Sequence, residues 1–188
     1  MNTQNRTAGF SLIEMMVTIA VAAIVLSLAV PSFRETIANN RTTLLANDLT
    51  ADLTVARSEA IKRNAPVTVC KRNSDGTACN NGGTWNDGWL VFNDLDNDGV
   101  MDGGREGVLR LHDAVQGTLA VTFSRSRVTF DARGNAEGFN GTFKVCQGDL
   151  VRSARGRILS GTGRVKASRD SNGDGYHEDS SGDAFSCP

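Results

Sequence analysis

A lone carboxylate stands where an apolar segment would normally exclude one. Glu14 lies five residues into the run Phe10–Val30, which is otherwise almost wholly apolar. An ionised side chain at that depth of a membrane segment costs about 2.5–3.5 kcal/mol on insertion scales, so the position reads as functional rather than incidental. A second candidate for chemistry is Asp94-Leu95-Asp96-Asn97-Asp98-Gly99, with Asp102 and Glu106 beyond it. Alternate carboxylates on a glycine turn are what the six to eight oxygen ligands of calcium require, and Asp94, Asp96, Asp98 and Asp102 are the candidate ligands. An EF-hand loop would place a glutamate at its twelfth position, where Arg105 stands, and no helical pattern flanks the loop on both sides. The alternative is a solvated turn, where Asp, Asn and Gly belong for backbone reasons. Asp170-Ser171-Asn172-Gly173-Asp174-Gly175, followed by Glu178 and Asp179, repeats the look and carries the same two readings.

Charge is segregated although the formal net charge is only −1. Lys144, Arg152, Arg155, Arg157, Arg164, Lys166 and Arg169 face one acid, Asp149, in their stretch; from Asp170 onward there are five acids and no base. Such a basic stretch can hold phosphate, and Arg155, Arg157, Arg164 and Lys166 are the candidate DNA contacts. It can equally be a solvated strand face neutralising the acids beside it. The four cysteines allow two disulfides or a zinc site. Common zinc spacings are absent and only two histidines exist, so disulfides are preferred. Cys70 with Cys79 and Cys146 with Cys187 is the first-choice pairing; the second would pin the acidic tail to the sheet. Nothing supports an enzyme: His112 and His177 stand far apart, with no nucleophile at a known spacing. Trp85 and Trp89, beside Val91 and Phe92, read as core.

These groups need positioning. Phe10–Val30 is long enough for a helix crossing one bilayer core. A secretory signal is cut after its apolar region, whereas the natural cleavage point here, Gly9, precedes it. After Pro31 the pattern turns amphipathic. Phe33, Ile37, Leu45, Leu49, Leu53, Ala56 and Ala60 form one stripe, with Asp48, Asp52, Arg57 and Glu59 on other faces. Asn64-Ala65-Pro66 ends the helix. A helix over 10–64 would be about 80 Å long. Short apolar runs then recur between Gly, Asn and Asp clusters, predicting strands at Val67–Lys71, Gly88–Phe92, Val108–His112, Leu119–Phe123, Val128–Phe130, Thr142–Cys146, Arg157–Ser160 and Arg164–Ala167. The fold class expected is α+β: a long N-terminal helix, transmembrane over 10–30 and amphipathic over 31–64, packed on an antiparallel domain of two small sheets over 65–188.

Gly9-Phe10-Ser11-Leu12-Ile13-Glu14 with its apolar run resembles the class III signal of type IV pilins and type II secretion pseudopilins. Trp85-Asn86-Asp87-Gly88-Trp89-Leu90-Val91-Phe92 and Gly163-Arg164-Val165-Lys166 are similar to the H-type pseudopilin and minor-pilin branch, GspH/FimT. The resemblance implies a pilin-like fold and a leader, residues 1–9, that a prepilin peptidase removes after Gly9 before methylating the amine of Phe10. Pro31 sits where many members have a helix-kinking proline. The Glu14 carboxylate would then pair with the freed amine of the same or a neighbouring subunit and set the axial register of assembly. Expected partners are other minor pilins, the major pilin and the peptidase. The expected location is the inner membrane with a periplasmic domain, and then the pilus or pseudopilus, in an oxidising compartment that suits disulfides. The alternatives are an H-type pseudopilin of type II secretion and a DNA-binding minor pilin for natural transformation. Family members of that last kind use a glycine-arginine-x-arginine motif, and here the motif ends in Lys166.

Overall fold

The computed structural model describes residues 10–102 and 104–187. Gly9, the expected cleavage point, therefore lies outside the described residues. Among these residues, helix α1, Leu12–Arg63, is followed by eight strands: β1 (Val67–Lys71), β2 (Trp89–Asn93), β3 (Val108–His112), β4 (Leu119–Thr122), β5 (Arg127–Phe130), β6 (Gly141–Gln147), β7 (Arg155–Leu159) and β8 (Val165–Ala167). The chain divides into two compact units, one up to Ile37 and one from Ala38 onward.

The first unit is the apolar part of α1. Ser11 caps it, its Oγ accepting the Glu14 N–H at 3.2 Å. The polar side chains within the apolar run turn back on their own helix: Thr18 donates to the Met15 carbonyl at 2.9 Å and Ser27 to that of Ile24 at 2.7 Å. A hydroxyl satisfied in this way costs little in an apolar medium. α1 continues through Pro31, which cannot donate to the Ser27 carbonyl four residues back. The helix holds a window of mean hydropathy 2.4, long and apolar enough to cross a membrane.

The second unit has one main core, shared by α1 and both sheets. Ala38, Leu45, Ala46, Leu49, Leu53, Ala56 and Ala60 are buried at three- and four-residue spacing and pack with Val67, Val69, Trp89, Val91, Val128 and Phe130 of one sheet. Val121, Phe143, Val145 and Leu159 of the other sheet join them. The expected stripe began at Phe33, but Phe33 and Ile37 are exposed, and burial starts at Ala38. Small residues there, Ala46, Ala56 and Ala60, let strands approach the helix closely. A Schellman motif ends α1: the Ala65 N–H reaches the Ala60 carbonyl and the Asn64 N–H that of Ile61. Asn64 takes the left-handed conformation this requires, φ 52°.

All strand pairs are antiparallel, in orders β3-β2-β1-β5 and β4-β6-β7-β8. Val69 pairs with Val91 and Val128, which puts their side chains on one face toward α1. The opposite face of the first sheet is also covered, with Cys70, Leu90 and Phe92 packed against Cys79 and Met101. In the second sheet, Phe143 stacks on Phe123 with ring centroids 3.8 Å apart and meets Trp85 edge-on at 5.0 Å. Both tryptophans are buried. The Cys70–Cys79 and Cys146–Cys187 disulfides are both formed. The second joins β6 to the C-terminal tail, where Phe185 is buried with Cys146 and Ala154.

Candidate functional site

The apolar half of α1 presents Phe10, Leu12, Ile13, Met15, Met16, Val17 and the residues beyond them on its surface. Between Phe10 and Ile37 every residue but Ala29 is exposed. Glu14 makes no side-chain hydrogen bond or ion pair among the described residues. The apolar stretch of that surface, Phe10–Val30, carries Glu14 as its one carboxylate and is of the kind that lipid or other helices cover.

The candidate DNA contacts separate into two pairs. β7 begins two residues earlier than expected, at Arg155, so Arg155, Arg157 and Leu159 share the face directed at α1. Arg157 is 6% exposed; its guanidinium donates to Thr50 Oγ1 at 2.7 Å and to Asn47 Oδ1 at 2.8 Å. Arg155 donates to Asn39 Oδ1 at 3.1 Å. Burial pulls both guanidinium pKa values down, and for Arg157 the neighbouring Arg155 charge adds to it. The expectation that both line a phosphate-binding face is corrected: they dock β7 on the helix. A buried Thr42 hydroxyl on the Ser153 carbonyl, 2.6 Å away, does the same for the preceding turn. Two more cations of the stretch attend the tail, Lys144 over the Phe185 ring and Arg152 over that of Tyr176. Arg164, Lys166 and Arg169 remain exposed at β8.

The first aspartate loop does not gather its four candidates into one group. Asp94, Asp96 and Glu106 form one set, and Asp96, Asp98 and Asp102 another, each with carboxylate oxygens within 4.8 Å. Asp94 is fully buried. Its Oδ2 accepts from Thr68 Oγ1 at 2.6 Å and its Oδ1 from the Gly99 N–H at 3.3 Å. Thr68 in turn meets Thr129 at 2.6 Å, so Asp94 ends a buried polar chain across β1 and β5. Glu106 clasps the loop, accepting the N–H groups of Leu95 and Asp102 at 2.8 and 3.1 Å. Asp98 first, then burial and the charges of Asp96 and Glu106, push the Asp102 pKa up.

Several polar side chains lie in surroundings that the linear pattern does not announce. Asp52, expected on a polar face of the helix, is 5% exposed; Trp89 Nε1 donates to its Oδ2 at 2.9 Å and Arg110 Nε to its Oδ1 at 3.2 Å. His112 stacks on Trp89 with centroids 3.8 Å apart. His177 is half-buried with Nδ1 2.9 Å from Ser168 Oγ. Burial lowers its pKa, as does Arg155, against Ser168, Asp170 and Glu178. Only Trp89 alongside Asp52 at a three- or four-residue position from Leu49 and Ala56 could have hinted at the first pairing. Cross-strand partners of this kind have no local sequence signature.

Comparison with known proteins bears on the whole arrangement. The family described as "Type II transport protein GspH" matches residues 45–163, more than half of the chain, and the "Prokaryotic N-terminal methylation motif" matches residues 4–30. No curated protein matches. Among solved structures, the type IV minor pilin FimU of Pseudomonas aeruginosa matches in two crystal forms. One has a TM-score of 0.56 at 24% identity over 69% of this chain and 90% of that one. The other has 0.50 at 24% identity over 66% and 90%. At that identity the likeness speaks for the fold: a long helix on two antiparallel sheets. With the methylation motif at the head of the exposed helix and the GspH match across the helix and sheets, the chain belongs to the GspH family of type IV pilin-like proteins.

Proposed function

We propose that this chain is a minor type IV pilin, cleaved after Gly9 by a prepilin peptidase and methylated at Phe10. It is then held in the inner membrane by residues 10–30 with its β domain in the periplasm. From there it enters a short or tip-located complex that primes polymerisation of the major subunit. One observation carries this reading: an exposed apolar helix bearing Glu14, headed by a methylation motif. Apolar area is stabilised by about 25 cal/mol per Å² when removed from water, so such a helix gains on entering a bilayer and keeps that gain in a bundle of like helices. In the bundle the Glu14 carboxylate requires a cation, and the Phe10 amine of a neighbouring subunit supplies it. The pair would stabilise one axial register over its slipped alternatives.

The size of the β domain and its paired cysteines favour the pilus over a type II secretion pseudopilus. In a host deleted for the gene, pili counted by electron microscopy should fall and return with the wild-type chain. Glu14→Leu should be cleaved and reach the membrane, yet be depleted from sheared pili. Wild-type incorporation of Glu14→Leu would remove the register role. Normal piliation with lost protein secretion would favour the pseudopilus instead.

The exposure of Lys166 on β8 and of Arg164 just before it keeps a DNA-binding reading in view, now without Arg155 and Arg157. A gel shift at physiological salt that is abolished by charge reversal at both residues would support it. No shift, or one unchanged by reversal, would dismiss it.

A further inference from the structure

The tail carries the second aspartate loop, and there the geometry is more demanding than in the first. One carboxylate oxygen each from Asp170, Asp174 and Glu178 lie within 4.8 Å of one another. Oxygens bound to a common calcium ion, each about 2.3–2.6 Å from it, stand at such separations. Asp170 and Asp174 are exposed, but Glu178 is only 5% exposed. Its Oε2 accepts the Ser171 N–H at 2.8 Å. Its Oε1 is buried and has no hydrogen-bond partner among the described residues. A buried carboxylate oxygen without a donor is disfavoured, and the residue that carries it is the buried member of the three-carboxylate group.

We propose that Asp170, Asp174 and Glu178 bind a hard divalent cation of the calcium class. The loop leaves lone pairs for it. Asp170 accepts the Gly173 and Gly175 N–H groups at 2.7 and 2.9 Å, one per oxygen. Asp174 accepts the Tyr176 N–H at 2.8 Å and the Asn172 side-chain amide at 3.0 Å. Each of these oxygens keeps a second acceptor position. Those hydrogen bonds hold the carboxylates in place before any ion arrives. The donors are all oxygen, which selects calcium over zinc; the nearby His177 is engaged with Ser168 through Nδ1. In the first loop the buried carboxylate, Asp94, has both oxygens satisfied by protein donors, so the sequence similarity of the two loops conceals a difference in demand. The cation would fasten the segment between β8 and the Cys146–Cys187 bond, and its affinity would fall in the range of extracellular modules, about 10⁻⁴–10⁻³ M.

The test uses the full chain in detergent micelles with disulfides intact, stripped of metal by chelator and titrated with calcium chloride by calorimetry. A parallel thermal melt is followed by circular dichroism. One saturable site per chain is expected, with a melting temperature that rises in millimolar calcium. Asp174→Asn removes an exposed ligand, so its metal-free melt should match wild type while calcium affinity falls about tenfold or more. Glu178→Gln should weaken binding likewise, and Asp98→Asn in the first loop should leave it unchanged. Absence of both heat and melting shift overturns the proposal. So does binding that survives Asp174→Asn, or binding lost only in Asp98→Asn.

Discussion

Asp52 illustrates how much a single side chain can hold in this fold. It lies in the buried face of α1 and receives the Trp89 indole and the Arg110 guanidinium, tying the helix to β2 and β3. Asp52→Ala removes the acceptor and leaves the indole N–H buried and unpaired, at an expected cost of about 1–3 kcal/mol, read from the midpoint of urea unfolding. Asp131 offers a different test, through pH. Burial pushes its pKa up, but the N–H groups of Asn135 and Arg133 outweigh it, so the folded-state value lies below the ordinary 3.8. The folded state therefore binds the proton less readily than the unfolded chain. The stability Asp131 contributes is fully present above pH 3.8 and is lost as pH falls through the depressed folded value. Asp131→Asn should flatten that part of the acid limb of a stability–pH curve; an unchanged limb would mean that other carboxylates carry it.

Among the elements, the edge strand β8 depends on the turn before it. Gly163 has φ 71°, and a Cβ there would collide with the Gly134 carbonyl, the same group that accepts from Arg57 Nε at 3.0 Å. Gly163→Ala should therefore destabilise the domain by at least about 1–2 kcal/mol, the cost of the left-handed conformation alone, and should lower the melting temperature. The glycine of the Gly163-Arg164-Val165-Lys166 motif is thus required by backbone approach. In the helix, Leu53 is fully buried in the shared core, and Leu53→Ala should cost about 2–5 kcal/mol by denaturant titration. The eight strands described were legible as short apolar runs between Gly, Asn and Asp clusters, with ends displaced by at most two residues. The displacement at β7 mattered most, because including Arg155 reveals which face of Arg-Gly-Arg-Ile-Leu turns inward.

For the whole molecule, the Cys146–Cys187 bond spans 41 residues of sequence. Closing a loop of that size contributes about 4 kcal/mol in the chain-entropy model. Replacing both cysteines by serine should lower unfolding free energy by about 2–4 kcal/mol and expose the tail to limited proteolysis, leaving the 70–79 bond intact. The second unit has its own core, so deleting residues 1–37 should leave its melting temperature nearly unchanged while abolishing detergent dependence.

The sequence by itself determined the apolar N-terminal segment with its carboxylate, the α+β class and the strand succession; the cysteine pairing it offered as a first choice is the one the structure holds. Each of the first three is written in local terms: an apolar run with one carboxylate, a helical period, and short apolar runs between turn residues. Only the tertiary structure decided which charges are available. Arg157 and Asp52 look like surface residues in a linear reading, because ionised side chains are seldom buried. Packing β2, β3 and β7 against the helix supplied the amide, hydroxyl, indole and guanidinium partners that make their burial tolerable. Likewise the two aspartate loops look alike in sequence. Among the described residues the fold distinguishes them by giving Asp94 two donors and leaving one oxygen of Glu178 with none. Donors of that kind come from residues far along the chain, as Thr68 does for Asp94, and no local pattern announces them.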